Sequence, residues 1–182
     1  MRIKKAILAG GCFWCTEAIY KRLSGVLTVT PGYAGGTTEN PTYEEVSSGT
    51  TGHAEAIQIE YDPDMISYEK LLTIFFATHD PTTLNQQGAD VGTQYRSVIF
   101  STDETEKEAA ESIVRKLEAE GIYPDPIVTK IAPSTHFYPA ENYHRDYYDR
   151  NRSQGYCHIV ISPKIAKLMK EYPADLKNEF RK

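Results

Sequence analysis

The sequence predicts an α+β fold: a ferredoxin-like two-layer sandwich with a mixed or antiparallel sheet, long loops and a C-terminal extension. Three observations predict it. Apolar segments run strand, helix, strand, strand, helix, strand, helix, strand. That order does not alternate strictly, which disfavours an all-parallel doubly wound sheet. It contains two βαβ units split by a strand–strand step. The 182 residues, 40% hydrophobic and 25% charged, suit one soluble globular domain with its own core. Residues 1–182 are therefore read as a single domain, with about 162–182 an extension on or near it.

Each element has its own signal. Residues 4–9 read as a buried strand, and 16–23 as a helix with Ala18, Ile19 and Leu23 on one stripe, ended by Gly25. A strand follows over 26–33 and stops at Gly35-Gly36. Residues 37–53, rich in Gly, Ser, Thr, Asn and Pro, read as a long loop of the kind that often carries function. Residues 54–61 alternate apolar and polar with one slip in the period. Ser67 caps a helix through Phe76, with Leu71, Leu72, Phe75 and Phe76 inward. A second loop spans 79–94, and a strand 95–100. Thr102 and Glu106 open the longest helix, which ends at Gly121. A strand over 127–132, an aromatic helix over 140–149 and a polar turn over 151–155 follow. The tail helix, 164–172, places Ile165, Leu168 and Met169 on one face before Pro173.

The net charge of -5 leaves no basic face for nucleic acid. No stretch reaches the ~18 apolar residues of a membrane span. The basic start before Ala6-Ile7-Leu8-Ala9 and Cys12 superficially suggests a lipoprotein signal, but this apolar centre is too short for one. A cytoplasmic protein is expected, with its three Cys kept as thiols in a reducing compartment, and a monomer.

The chemistry concentrates in Gly10-Gly11-Cys12-Phe13-Trp14-Cys15, at a strand-to-helix turn. A thiol in a first helical turn meets the positive end of the macrodipole, which favours the reactive thiolate. Phe13 and the chain's only Trp, Trp14, flank it. Cys12 and Cys15 lie three apart and can face one side of the helix. Such a pair serves thiol–disulfide redox, or half a zinc site, or one catalytic Cys with an incidental neighbour. Zinc wants a second ligand pair, and Cys157-His158 is a poor one, so no metal is expected.

Glu55 enters a strand from a glycine-rich loop. Buried against Phe13 and Trp14, it would stay protonated and act as an acid beside a thiolate. His53 is a candidate base or a loop support. Tyr33, Tyr43, Asp90 and Tyr95 flank two loops that could reach one cavity and bind an oxygen atom. Cys157 follows the turn at 151–155, which reads as a mobile arm able to carry that thiol to an oxidised Cys12.

Gly-Gly-Cys-Phe-Trp-Cys, Asn-Pro-Thr-Tyr (40–43), Gly-His-Ala-Glu (52–55), Gly-Thr-Gln-Tyr-Arg (92–96) and Gly-Tyr-Cys (155–157) together resemble the A-class peptide methionine sulfoxide reductases. The resemblance covers about residues 6–157. It implies reduction of methionine-S-sulfoxide; the sequence leaves open whether the free amino acid is a substrate beside the protein-bound residue. Cys12 matches the nucleophile, Phe13 and Trp14 the wall for the S-methyl group, and Glu55 the acid. Tyr43, Asp90 and Tyr95 match the groups that bind the sulfoxide oxygen. Cys157 matches the thiol that resolves the Cys12 sulfenic acid, and Cys15 is a second thiol able to compete for that role. No resident cofactor is implied. The partners are oxidised methionine in proteins or peptides and an external dithiol such as thioredoxin. The competing classes are a thiol peroxidase or disulfide oxidoreductase, and a non-catalytic binding module for Met peptides.

Overall fold

Two βαβ units interleave in one sheet. The computed structural model describes residues 2–181, so both ends of the expected 1–182 domain lie outside the described residues. The chain runs β1 (Lys4–Gly10), α1 (Phe13–Tyr20), β2 (Val26–Ala34), α2 (Tyr43–Ser47), β3 (Ala54–Tyr61) and α3 (Tyr68–Thr78). A small hairpin follows, β4 (Gln86–Gln87) with β5 (Asp90–Val91), then β6 (Ser97–Ser101), α4 (Glu104–Ala119), β7 (Lys130–Pro133), β8 (Tyr138–Pro139), α5 (Tyr147–Arg150) and α6 (Ser162–Glu171). The six-stranded sheet has the order β7-β6-β1-β3-β2-β8. Each of its four central strands is antiparallel to its neighbours among them, and β7 pairs parallel to β6, so the sheet is mixed. The architecture is α+β.

Alternation along β1 sorts the core. Ala6 and Leu8 join the large cluster beneath the helices with Ile57, Ile59, Leu71, Phe75 and Ile99. Ile7 and Ala9 join a smaller cluster on the opposite face with Ala54, Ala56, Val98 and Phe100. The apparent slip in the β3 pattern is thereby explained. Both faces of β3 are buried, so Ala54 and Ala56 face one side while Glu55, Ile57, Ile59 and Tyr61 alternate with them on the other.

The loop expected at 37–53 contains α2, whose capping box reads plainly as Thr42 and Glu45: each side chain bonds the other's backbone N–H. The helix expected at 140–149 is broken into a 3-10 turn, Asn142–His144, and α5, because Asp146 adopts φ +53° between them. The turn at 151–154 is present, but Gly155 and Tyr156 already belong to a helix that passes through a π-helical turn, Cys157–Ile161, into α6. Cys157 thus sits in a helix with its side chain buried, not on an extended arm. The tail covers the core: Ile165 and Leu168 are buried, Leu176 bridges Leu23, and Ser24 N–H donates to Asp175 O at 2.8 Å. No helix among the described residues is long and apolar enough to cross a membrane.

Candidate active site

Strand register builds the site. β1 pairs Leu8 with Ile57 of β3. Two residues further along, that register sets Gly10 level with Glu55, so the turn into α1 passes over the Glu55 side chain. Cys12 is the N-cap of α1 and makes no side-chain cap. The first helical N–H groups need acceptors. Glu55 supplies one from across the sheet: Phe13 N–H donates to Glu55 Oε2 at 3.0 Å. That is the only hydrogen bond of its carboxyl among the described residues. Glu55 is 1% exposed, and burial pushes its carboxyl up to about 8 against the pull of the Phe13 N–H, with Asp90 and Cys15 adding to the rise. At neutral pH it is a neutral acid whose carbonyl oxygen caps α1 and whose hydroxyl is free to donate.

The thiols form one buried group. Cys12, Cys15 and Cys157 are all free and share a cluster with Ala18, Tyr148, Ile161 and Ile165. Burial raises the Cys12 thiol well above the ordinary range, reinforced by its hydrogen bond to Cys15 and by Glu55. Cys15 is lowered to about 7, first by the hydrogen bond from Cys12 and then, against burial, by Lys164 and Tyr156. Desolvation outweighs the dipole of an eight-residue helix at Cys12.

Phe13 is wholly buried, while Trp14 is half-buried and stacks on Tyr147 at 3.7 Å with planes 6° apart. Tyr43, half-buried at the start of α2, lies 6.3 Å from the Phe13 ring, and burial beside Glu55 and Cys12 pushes its hydroxyl up to about 12. Tyr95 closes a 3-10 turn, Thr93–Tyr95; burial raises its hydroxyl, with Glu55, Tyr43, Asp90 and Cys12 as further causes. Asp90, on the hairpin, accepts a 2.6 Å hydrogen bond from Tyr156. Tyr33 pairs with Glu55 in register, and its hydroxyl donates to Glu141 Oε1 at 3.0 Å. His53 is a loop clamp: Nδ1 accepts from Gly36 N–H, and Nε2 bonds Thr38 O at 2.7 Å.

Sequence reasoning missed His144 and Tyr156. His144 is fully buried, 4.9 Å from the Phe13 ring and 4.5 Å from the Tyr43 ring, and its Nδ1 accepts the Trp14 indole N–H at 3.0 Å. That bond fixes the tautomer with the proton on Nε2. A lone His in a segment read as helix gave no signal. Tyr156 was visible only as the neighbour of Cys157.

An aromatic wall, a buried acid and adjoining thiols define a thiol oxidoreductase. Residues 4–176 match the family model described as peptide methionine sulfoxide reductase. A Chromobacterium violaceum protein named peptide methionine sulfoxide reductase MsrA is 52% identical over 176 residues, covering 97% of this chain and 100% of that one. Reduced Mxr1 from Saccharomyces cerevisiae superposes with a TM-score of 0.78 at 35% identity, over 86% of this chain and 90% of that one. A structure of Mxr1 in complex with Trx2 matches with a TM-score of 0.55 at 28% identity, over 80% of this chain and 85% of that one. This chain belongs to the peptide methionine sulfoxide reductase family.

Two outcomes test the geometry. His144→Phe keeps an aromatic ring but removes the acceptor for Trp14. It is expected to shift the fluorescence of the chain's only Trp and to raise KM more than it lowers kcat. Glu55 works as an acid only while protonated. The rate of methionine formation in a single turnover is therefore expected to fall as pH rises through about 8. Glu55→Gln should remove that limb and lower the rate by ~10²–10⁴-fold, while Glu55→Asp retains more activity.

Proposed function

We propose that this protein reduces methionine-S-sulfoxide residues of oxidised proteins or peptides, and the free amino acid, to methionine, with Cys12 as nucleophile. The observation that carries this reading is the neutral Glu55 carboxyl bonded to the N–H beside Cys12. A sulfoxide presents a methyl group, a chain and a strongly accepting oxygen on one pyramidal sulfur. Phe13 and Trp14 supply the apolar side. Tyr43, Tyr95 and Asp90, with Glu55, supply the polar side. As the Cys12 thiolate attacks the sulfur, charge develops on oxygen and Glu55 gives it a proton. The S–O oxygen passes to Cys12, which becomes a sulfenic acid, and methionine leaves. Condensation of the sulfenic acid with a second thiol expels water and forms a disulfide.

Cys157 is the thiol assigned to that disulfide. It is buried in the same cluster as Cys12, at the start of a π-helical turn whose local unwinding would free it to move. π-turns are strained insertions often found at functional sites. An external dithiol then reduces the disulfide. The yeast protein's complex with Trx2 supports thioredoxin in this role. Three free thiols suit a reducing compartment, which supports the cytoplasm. The tail packed over α1 and α3 supports reading the chain as one catalytic domain.

Assay of both methionine sulfoxide epimers and hydrogen peroxide, with dithiothreitol as reductant, tests the reading. Turnover of the S epimer alone is expected, and Cys12→Ser should abolish it without loss of the fold. A preference for peroxide would make the protein a thiol peroxidase instead. Cys157→Ser is expected to complete one stoichiometric turnover, to lose thioredoxin-driven cycling and to be partly rescued by dithiothreitol. Mass mapping after one turnover should find Cys12 joined to Cys157. A dominant Cys12–Cys15 peptide would reassign the resolving thiol.

A further inference from the structure

The residues that hold Trp14 lie on a segment with little regular structure of its own. His144 ends the 3-10 turn Asn142–His144, Asp146 stands at φ +53°, and Tyr147 opens the four-residue helix α5. Three contacts fasten this segment to α1, in the same order along both chains. The Trp14 indole N–H donates to His144 Nδ1 at 3.0 Å. Three residues on, Glu17 Oε1 accepts the Asp146 backbone N–H at 3.0 Å. One turn further, Lys21 pairs with Asp146 and, at 2.8 Å, with Asp149. Spacings of three and four residues keep positions 14, 17 and 21 on one face of the helix.

These contacts are not equal. Lys21 and its partners are partly exposed, where an ion pair contributes little. Arg22 pairs with Asp149 at 2.6 Å, but that bond grips the segment beyond Tyr147. Glu17 is 3% exposed. Burying a carboxyl is costly unless its oxygens are bonded. The Asp146 N–H is its one hydrogen-bond partner among the described residues. The buried neighbours of Glu17 on α1 include Ala18, Ile19 and Tyr20, so an apolar side chain would fill the place without that cost. The N–H it binds lies between His144 and Tyr147 in the chain. It belongs to a non-glycine residue in the left-handed region, a conformation that persists only where the surroundings hold it. The contacts close a ring, from Trp14 to Glu17 along α1 and from His144 to Asp146 along the segment.

We propose that Glu17 is a positioning residue for the apolar side of the substrate site: by binding the Asp146 N–H it sets His144 and Tyr147 against Trp14. The proposal rests on the reductase reading for what that side receives. His144 then meets the indole N–H, and Tyr147 covers the indole face at 3.7 Å. An apolar wall carries no charge that changes in the reaction, so it holds substrate and transition state alike. Loss of its position therefore raises KM more than it lowers kcat.

Trp14 is the chain's only Trp, so its fluorescence reports the wall in the full-length protein without substrate. Glu17→Leu removes the acceptor at similar volume. It is expected to red-shift the Trp14 emission, to increase its quenching by acrylamide, and to raise KM for methionine-S-sulfoxide ~10-fold with kcat within ~2-fold. Glu17→Gln keeps an acceptor oxygen at the same reach and should restore both readouts. Glu17→Asp, one methylene short of the N–H, should behave as Glu17→Leu and covers the case in which the Leu variant does not fold. Lys21→Gln should leave emission and KM unchanged. Wild-type emission and KM in a folded Glu17→Leu or Glu17→Asp protein would overturn the proposal. So would failure of Glu17→Gln to restore them, or an equal shift in Lys21→Gln. The emission measurement needs no turnover, so failure of the reductase reading would appear separately, in the epimer assay.

Discussion

A single hydrogen bond, from Phe13 N–H to Glu55, ties the first helix to the third strand. Everything else in the site is placed relative to it. The helix N-terminus wants an acceptor, and the pocket wants an acid. One carboxyl serves both needs because a protonated carboxyl still offers a carbonyl oxygen. Two effects oppose each other at this group. The helix N–H favours the anion, and burial at 1% exposure disfavours it; burial wins and the group sits near 8. Its value is raised above that of the unfolded chain, so folding at pH 7 must take up a proton. Stability linked to Glu55 is present in full at acid pH and declines as pH rises from about 4.5 towards 8, a cost of about 3 kcal/mol at neutrality. The rest of the fold must offset that cost.

The same competition governs the sulfur atoms. A thiol at a helix start is commonly a thiolate, because the dipole and neighbouring cations outweigh modest burial. Here Cys12 is 7% exposed beside a carboxyl, and burial raises its thiol. The aromatic wall contributes to this outcome. Tyr147 covers one face of Trp14, His144 binds its indole N–H, and water has little access to the thiols behind them.

The chemistry of this chain was legible in its sequence where local type and spacing sufficed. Cys12, Phe13, Trp14 and Glu55 are at one place in space, as the motif implied. The α+β class and most strands followed from apolar runs. Other features needed tertiary information. The slip in the period of residues 54–61 had no explanation in the sequence, since a strand buried on both faces defeats a period-2 reading. Cys157 looked mobile because its polar turn was legible and the π-turn after it was not. No local residue pattern marks an inserted residue in a helix. His144 was invisible because its role exists only through Trp14, 130 positions away in sequence. The Thr42–Glu45 capping box was different: the signal was there, hidden by the loop-like composition around it.

The polar side of the pocket depends on one more contact, between backbone and hairpin. Gly11 holds φ +94°, and a Cβ there would come within 2.6 Å of Gln87 Cγ. Glycine is required twice over, for the turn and for the close approach. Gln87 in turn is held by Asp80: its Oε1 accepts Asp80 N–H at 3.0 Å and its Nε2 donates to Asp80 O at 2.9 Å. Gln87 pairs with Asp90 across the hairpin. The residue before the nucleophile therefore serves as the floor on which the hairpin rests, and the hairpin carries the carboxylate that holds Tyr156. Asp90, Tyr156, Cys15 and Cys12 close a loop that begins and ends at the same turn. A shift of that turn would move the acid's partner N–H, the nucleophile and the hydroxyl side together. Such shared anchoring keeps the reacting groups in one register without a rigid cavity around them.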